Sequence, residues 1–236
     1  MVVSVKRGLA TFSLGLLCLS ASVTRALSQP PAPSWAAWVP NGWKVIKVAR
    51  GNLTGSPVAA AIVIEEKSRR NIRKNDAMGS AQLNLNPRTL LLLAKTPDGY
   101  REITRSARFL PSEDSAESPC LSDPLMEGGN VEFSGGNLVI TLEDFMSCGG
   151  WDVTNTRYRF RLEGRRLRLI GKDVVVTSRA TLEETITSQN YLTRRAQITT
   201  GLTAAEGQKS KPKIEQKLLP VSKPQYIDTM KSDEHD

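Results

Sequence analysis

Residues 158–171 read YRFRLEGRRLRLIG. Tyr158, Phe160 and Leu162 alternate with Arg159 and Arg161. After Glu163-Gly164-Arg165 the alternation resumes, with Leu167 and Leu169 set between Arg166, Arg168 and Ile170. Successive side chains of a strand point to opposite faces, so a period of two on both sides of a glycine-containing break predicts a β-hairpin. Its apolar face belongs in a core. Its arginines belong on the other side.

Working outward, the same signal recurs. Val131–Ser134 and Asn137–Leu142 flank Gly135-Gly136 and predict a second hairpin. Val58–Ile64 and Arg88–Ala94 are short apolar runs of the kind that form strands buried on both faces. Lys44–Ala49 reads as a short strand, with Gly51-Asn-Leu-Thr-Gly55 as the turn that follows it. Pro97-Asp98-Gly99 is another turn, leading into a half-exposed strand at Tyr100–Arg105. Glu65–Asn86 is rich in charge and reads as an exposed loop with a single helical turn. Residues 109–127 read as a long loop anchored by Cys120, and Thr181–Thr187 as a further β-prone run. Past Gly201 the chain is rich in Lys and Pro, with Lys217–Ile227 the expected edge strand because prolines interrupt it. The expectation is an all-β or mainly β chain of antiparallel hairpins. Its single domain would be degenerate propeller-like or sandwich-like and would carry one disulfide.

The chain of 236 residues carries 32 basic and 24 acidic side chains and three cysteines. Residues 1–28 have a basic start at Lys6 and Arg7, an apolar run from Leu9 to Val23, and Ala26-Leu27-Ser28. That is the layout of a signal peptide cleaved near Ser28, with an apolar run too short for a comfortable membrane span. Leu16-Leu17 before Cys18 do not suit a lipoprotein signal. Residues 29–34 form a Pro-rich spacer, 35–200 the β-rich domain, and 201–236 a basic, Pro-rich extension. The expected location is bacterial, periplasmic or extracellular, with no transmembrane anchor. Cleavage would remove Cys18 and leave Cys120 and Cys148, an even pair expected to bridge in an oxidising compartment.

Three segments in order resemble a group of bacterial exported proteins related to the FG-GAP (VCBS) repeat, the integrin-alpha-like module. They are Trp38–Ala49 with its glycine loop, Arg88–Ala94 with Asp98-Gly99-Tyr100, and Tyr158–Arg165 with Leu167–Asp173 and Ser188–Thr193. The resemblance runs from Trp38 to Thr193 and implies a fold and an exported location, with no reaction attached. The first loop of that family reads Gly-Asp-Leu-Asn-Gly-Asp-Gly and holds calcium. The matching positions here are Gly51-Asn52-Leu53-Thr54-Gly55-Ser56-Pro57. Calcium takes six to eight oxygens, several of them carboxylate, and these seven residues offer none. The resemblance therefore implies a turn that has lost its metal. No cofactor is expected.

Charge is unevenly placed. Residues 29–150 hold 13 basic and 13 acidic side chains, and 201–236 hold six of each, whereas 151–200 hold ten basic and five acidic. Arg157, Arg159, Arg161, Arg166 and Arg168 would share the outer face of the quoted hairpin, where guanidinium forks suit phosphate and carboxylate groups. The function expected is a non-catalytic binding or structural module contacting an anionic envelope component or another envelope protein through that face. A solvated sheet face is the plainer reading. Nucleic acid is a poor candidate outside the cytoplasm. Trp35, Trp38 and Trp43 crowd into nine residues and are an alternative stacking surface, though aromatics capping a core are the plainer reading. An enzyme would need a poised acid, base or nucleophile. The only histidine is His235, and Glu65-Glu66, Glu113-Asp114, Glu143-Asp144 and Glu183-Glu184 are expected to be exposed. A cell-envelope hydrolase with a carboxylate-based site is the rival class, and acidic side chains gathered in a pocket would favour it. An exposed apolar groove around the tryptophans would instead favour an inhibitor or accessory protein.

Overall fold

A computed structural model describes residues 34–207 and 209–232. The expected signal peptide, nearly all of the Pro-rich spacer and His235 lie outside the described residues. Among the described residues thirteen strands follow a 3-10 turn at Ser34–Trp38: β1 (Trp43–Leu53), β2 (Ser56–Glu66), β3 (Ile72–Lys74), β4 (Gln82–Asn84), β5 (Arg88–Thr96), β6 (Gly99–Ser106), β7 (Asn130–Ser134), β8 (Asn137–Asp144), β9 (Asp152–Glu163), β10 (Arg166–Ser178), β11 (Glu183–Asn190), β12 (Arg195–Thr203) and β13 (Lys213–Leu218). One sheet has the order β1-β2-β5-β6. A seven-stranded meander runs β13-β12-β11-β10-β9-β8-β7, and β3 and β4 pair as a small hairpin. All pairings are antiparallel. The chain is mainly β, as its alternation requires. A core filled from two facing sheets makes it the sandwich-like of the two expected forms.

The four-stranded sheet is buried on both faces, which is why β2 and β5 are continuously apolar. Ala59, Ala61, Val63, Leu90 and Leu92 face the inter-sheet core. There they meet Val131, Leu138, Ile140, Tyr158, Phe160, Leu167 and Leu169 of the meander. Phe109 stands edge-on to Tyr158 and Phe160, at 5.0 and 5.3 Å between ring centres. Ala60, Ile62, Ile64, Leu91 and Leu93 fill a second core on the opposite face, closed by Trp35, Trp38, Trp43 and Tyr100.

Gly51-Asn-Leu-Thr-Gly55 is not one turn. β1 continues through Leu53, which pairs with Ser56, and the reversal is confined to Thr54-Gly55. Gly55 has φ +83°, a conformation glycine adopts without strain. Gly51 has another purpose. A Cβ there would stand 2.8 Å from Phe133 Cγ and closer still to its Cβ, so glycine lets β7 approach β1. The Thr54 amide donates to the Gly136 carbonyl at 2.9 Å, joining the two hairpin turns.

The expected edge strand also moves. Pairing with β12 covers Lys213–Leu218, ahead of Lys217–Ile227. The later segment turns back to β10. Tyr226 bridges Arg168, the Leu169 amide donates to the Gln225 carbonyl, and the Ile227 amide donates to the Leu167 carbonyl. This return uses β10 before its irregularity between Leu169 and Gly171, beyond which Lys172 replaces an apolar residue on the inner face opposite Tyr158.

Candidate functional site

The quoted hairpin forms as expected, with Arg166 paired to Glu163 across Gly164-Arg165. Tyr158, Phe160, Leu167 and Leu169 are buried. Cross-strand partners share a face, so Arg161 lies opposite Arg168, and Arg157 opposite Asp173. The arginines do stand together on the outer face. They do not stand there as free cations. Arg157 pairs with Glu132 at 2.9 Å, Arg159 with Asp173 at 3.8 Å, and Arg166 with Asp228 at 2.9 Å. Arg161 and Arg168 share Glu163. The hydrogen bond from Arg161 holds the Glu163 carboxyl below its ordinary range, more than burial raises it. The Arg166 guanidinium also lies 3.9 Å over the Tyr226 ring. Two of these carboxylates, on β7 and in the C-terminal return, come from outside the segment whose charge excess drew attention. Folding brings these two carboxylates against an excess of five and pairs each of the five hairpin arginines.

The three neighbouring tryptophans are partly buried and spent on covering the second core. The exposed one is Trp151, at 82%.

The carboxylate pairs divide in a way that sequence did not show. Glu65 is 1% exposed. Its side chain leaves the end of β2 for a buried network instead of solvent. Arg88 Nε donates to Glu65 at 2.9 Å, both Arg88 Nη atoms donate to Asp123 at 2.7 Å, and Lys44 closes on Glu65 at 2.7 Å. Burial pushes Glu65 up, but hydrogen bonds from Lys44, Arg88 and Asn84 outweigh it and hold the carboxyl below its usual value. Asn84 Nδ2 also reaches Glu113 at 2.7 Å, and the Asn84 amide donates to Asp114 at 2.7 Å. Lys47 Nζ donates to the Leu125 and Gly129 carbonyls at 3.2 and 3.1 Å. These bonds pin the loop of residues 107–129 to the end of the four-stranded sheet.

A disulfide ties the same loop from its other side. Cys120 and Cys148 are bonded as expected, with their Cα atoms 5.6 Å apart and a sequence separation of 28. The Ser122 amide donates to the Phe145 carbonyl at 2.9 Å, and the Glu143 amide to the Pro124 carbonyl at 2.8 Å.

Between this loop and β8–β9 lies a cleft of about 320 Å³. Leu142, Asp144, Thr154, Thr156 and Tyr158 line it from the strands, and Leu85 and Ser232 from elsewhere. Ser112, Asp114, Ser115, Glu117 and Ser118 line it from the loop. Glu143 borders it through β8, but its side chain turns to the other face of the sheet, where Asn155 Nδ2 donates to it at 3.4 Å. Burial, with the neighbouring Tyr191, pushes the Tyr158 phenol up to about 12, so it stays a neutral hydroxyl. The cleft thus joins three carboxylates, Asp114, Glu117 and Asp144, and several hydroxyls to an apolar floor. An adjoining opening of about 500 Å³ adds Glu113, Asp123 and Glu127. Among the described residues no three side chains of the metal-binding types gather closely enough to hold an ion. The sequence signal for the cleft was Ser-Glu-Asp-Ser-Ala-Glu-Ser at 112–118, three acids and three hydroxyls just before a cysteine.

Comparison of the chain with family models, with curated proteins and with solved structures found no match. Among the described residues no helix is long and apolar enough to cross a membrane.

Proposed function

We propose that this chain is an exported, non-catalytic binding module whose ligand sits in the cleft beneath the disulfide-tied loop. The observation that carries the reading is the cleft itself: a concave site with an apolar floor, convergent hydroxyls, and Asp114, Glu117 and Asp144 around it. Such a lining suits a small organic cation with a hydrophobic or polyhydroxylic body. Export is supported by the residue pattern of the first 28 positions and by the Cys120–Cys148 bridge. The arginine hairpin acts in this reading as a brace, holding β7 and the C-terminal return against the meander by ion pairs.

Gathered carboxylates are also what a glycoside-cleaving site uses, one as acid and one as base or nucleophile. A carboxylate-based hydrolase is therefore the second reading of the same cleft. One experiment separates the two. The protein and its Asp144→Asn and Glu117→Gln variants are titrated calorimetrically with spermidine and with glucosamine oligomers, and the mixtures are assayed for cleavage. Binding by the wild type that weakens about tenfold in the variants, without cleavage, supports the module. Cleavage lost in the variants makes the chain a hydrolase. Retention on anionic lipid vesicles that ignores both variants returns the contact to the arginine hairpin.

A further inference from the structure

We propose that two copies of this chain associate through β13, pairing edge to edge in antiparallel fashion about Gln216. The meander has two edges. At one, β7 lies against β1, and its turn is joined to the β1–β2 turn by the Thr54–Gly136 hydrogen bond. At the other, among the described residues, β13 pairs only with β12, and all six of its residues are exposed. Ile214 is 62% and Leu218 71% exposed. An open edge strand presents unpaired backbone donors and acceptors and is a template for a further strand.

The sequence of β13, Lys-Ile-Glu-Gln-Lys-Leu, selects a second copy of itself as that strand. With Gln216 on a two-fold axis, Ile214 lies opposite the partner's Leu218, and Glu215 opposite the partner's Lys217. Each pair occurs twice, as an isologous contact requires. Apolar meets apolar on the face shared by Ile214, Gln216 and Leu218. Acid meets base on the face shared by Glu215 and Lys217, where the two already pair within one strand at 3.1 Å. The window is bounded by Pro212 and Pro220, four residues to either side of Gln216. Proline has no amide to donate, so both ends of the pairing stop in the same register. Lysines on an edge normally discourage pairing. Here Lys217 is the residue that the register satisfies. The product is a continuous sheet through both copies.

Sedimentation equilibrium of the full chain across about 1 to 100 μM, the range of weak specific association, measures the dimer. Lys217→Glu places like charges opposite each other twice and is expected to weaken it by about tenfold or more. The double swap Glu215→Lys with Lys217→Glu restores opposite charges and is expected to restore the dimer. In a Cys18→Ser background, Gln216→Cys should cross-link copies under mild oxidation, because residues facing each other on the axis lie within disulfide reach. Ile214→Cys should not, since its counterpart lies about 13 Å along the strand. A monomer throughout the range, or a dimer indifferent to Lys217→Glu, overturns the proposal. Failure of the double swap to recover the dimer overturns the register. Circular dichroism of each variant separates dissociation from unfolding.

Discussion

Replacing Arg88 by Met is the most demanding perturbation of the fold. Arg88 is 1% exposed and lies between Glu65, also 1% exposed, and Asp123, at 10%. Methionine fills similar volume but removes three donated hydrogen bonds, leaving two buried carboxylates to Lys44 and a few backbone and amide donors. Breaking a buried ion pair from one side costs about 3–5 kcal/mol, because the remaining charge has lost its water and its partner. Folded domains hold only about 5–15 kcal/mol in total. With a urea slope of about 2 kcal/mol per molar, the midpoint should fall by about 1.5–2.5 M. The pH dependence supplies a sign. Glu65 titrates below its unfolded value, so its contribution is fully present above that value and is lost as pH falls through the folded one. Without Arg88, Lys44 and Asn84 alone oppose desolvation, so Glu65 takes up a proton more readily in the folded variant than in the parent. The deficit of the variant should therefore shrink between neutral pH and about pH 4. Neutralising the cluster together, with Arg88→Met, Glu65→Gln and Asp123→Asn, should recover most of the loss. A drop under about 1 kcal/mol at pH 7, or a deficit that grows on acidification, would refute this account of the network.

Gly51→Ala should destabilise the protein by about 1–3 kcal/mol, since its methyl must displace Phe133 and part β1 from β7; thermal unfolding beside Gly55→Ala distinguishes this clash from turn strain. Cys120→Ser with Cys148→Ser should cost about 3.5 kcal/mol from loop closure across 28 residues, read by urea unfolding with and without reductant. The same pair of substitutions should weaken any ligand of the cleft, because the bridge fixes the loop that forms one wall.

Strand existence was legible in the residues because it is written locally. Alternation at 158–169 and 131–142, and the doubly apolar runs at 58–64 and 88–94, needed no knowledge of partners. The disulfide was legible for a similar reason, since setting aside Cys18 in the expected signal peptide leaves two cysteines and one pairing. Which charges are free was not legible. Arg157 and Arg166 find Glu132 and Asp228, 25 and 62 residues away, and that proximity exists only once β7 and the C-terminal return are in place. Glu65 looked like half of an exposed pair, yet the end of β2 meets Arg88 of β5 and Asp123 of the loop there. Gly51 looked like part of a vanished metal loop, and is small because another sheet passes over it. The cleft is built from residues 112–118 and 142–158 plus Ser232, and no window of sequence contains it. Local sequence determined the strands that fill the core, their faces and the cystine, but not the β3–β4 hairpin in the expected loop of Glu65–Asn86, nor β12; only the tertiary fold decided which charges cancel and where a cavity opens, because both depend on distances between segments far apart in the chain.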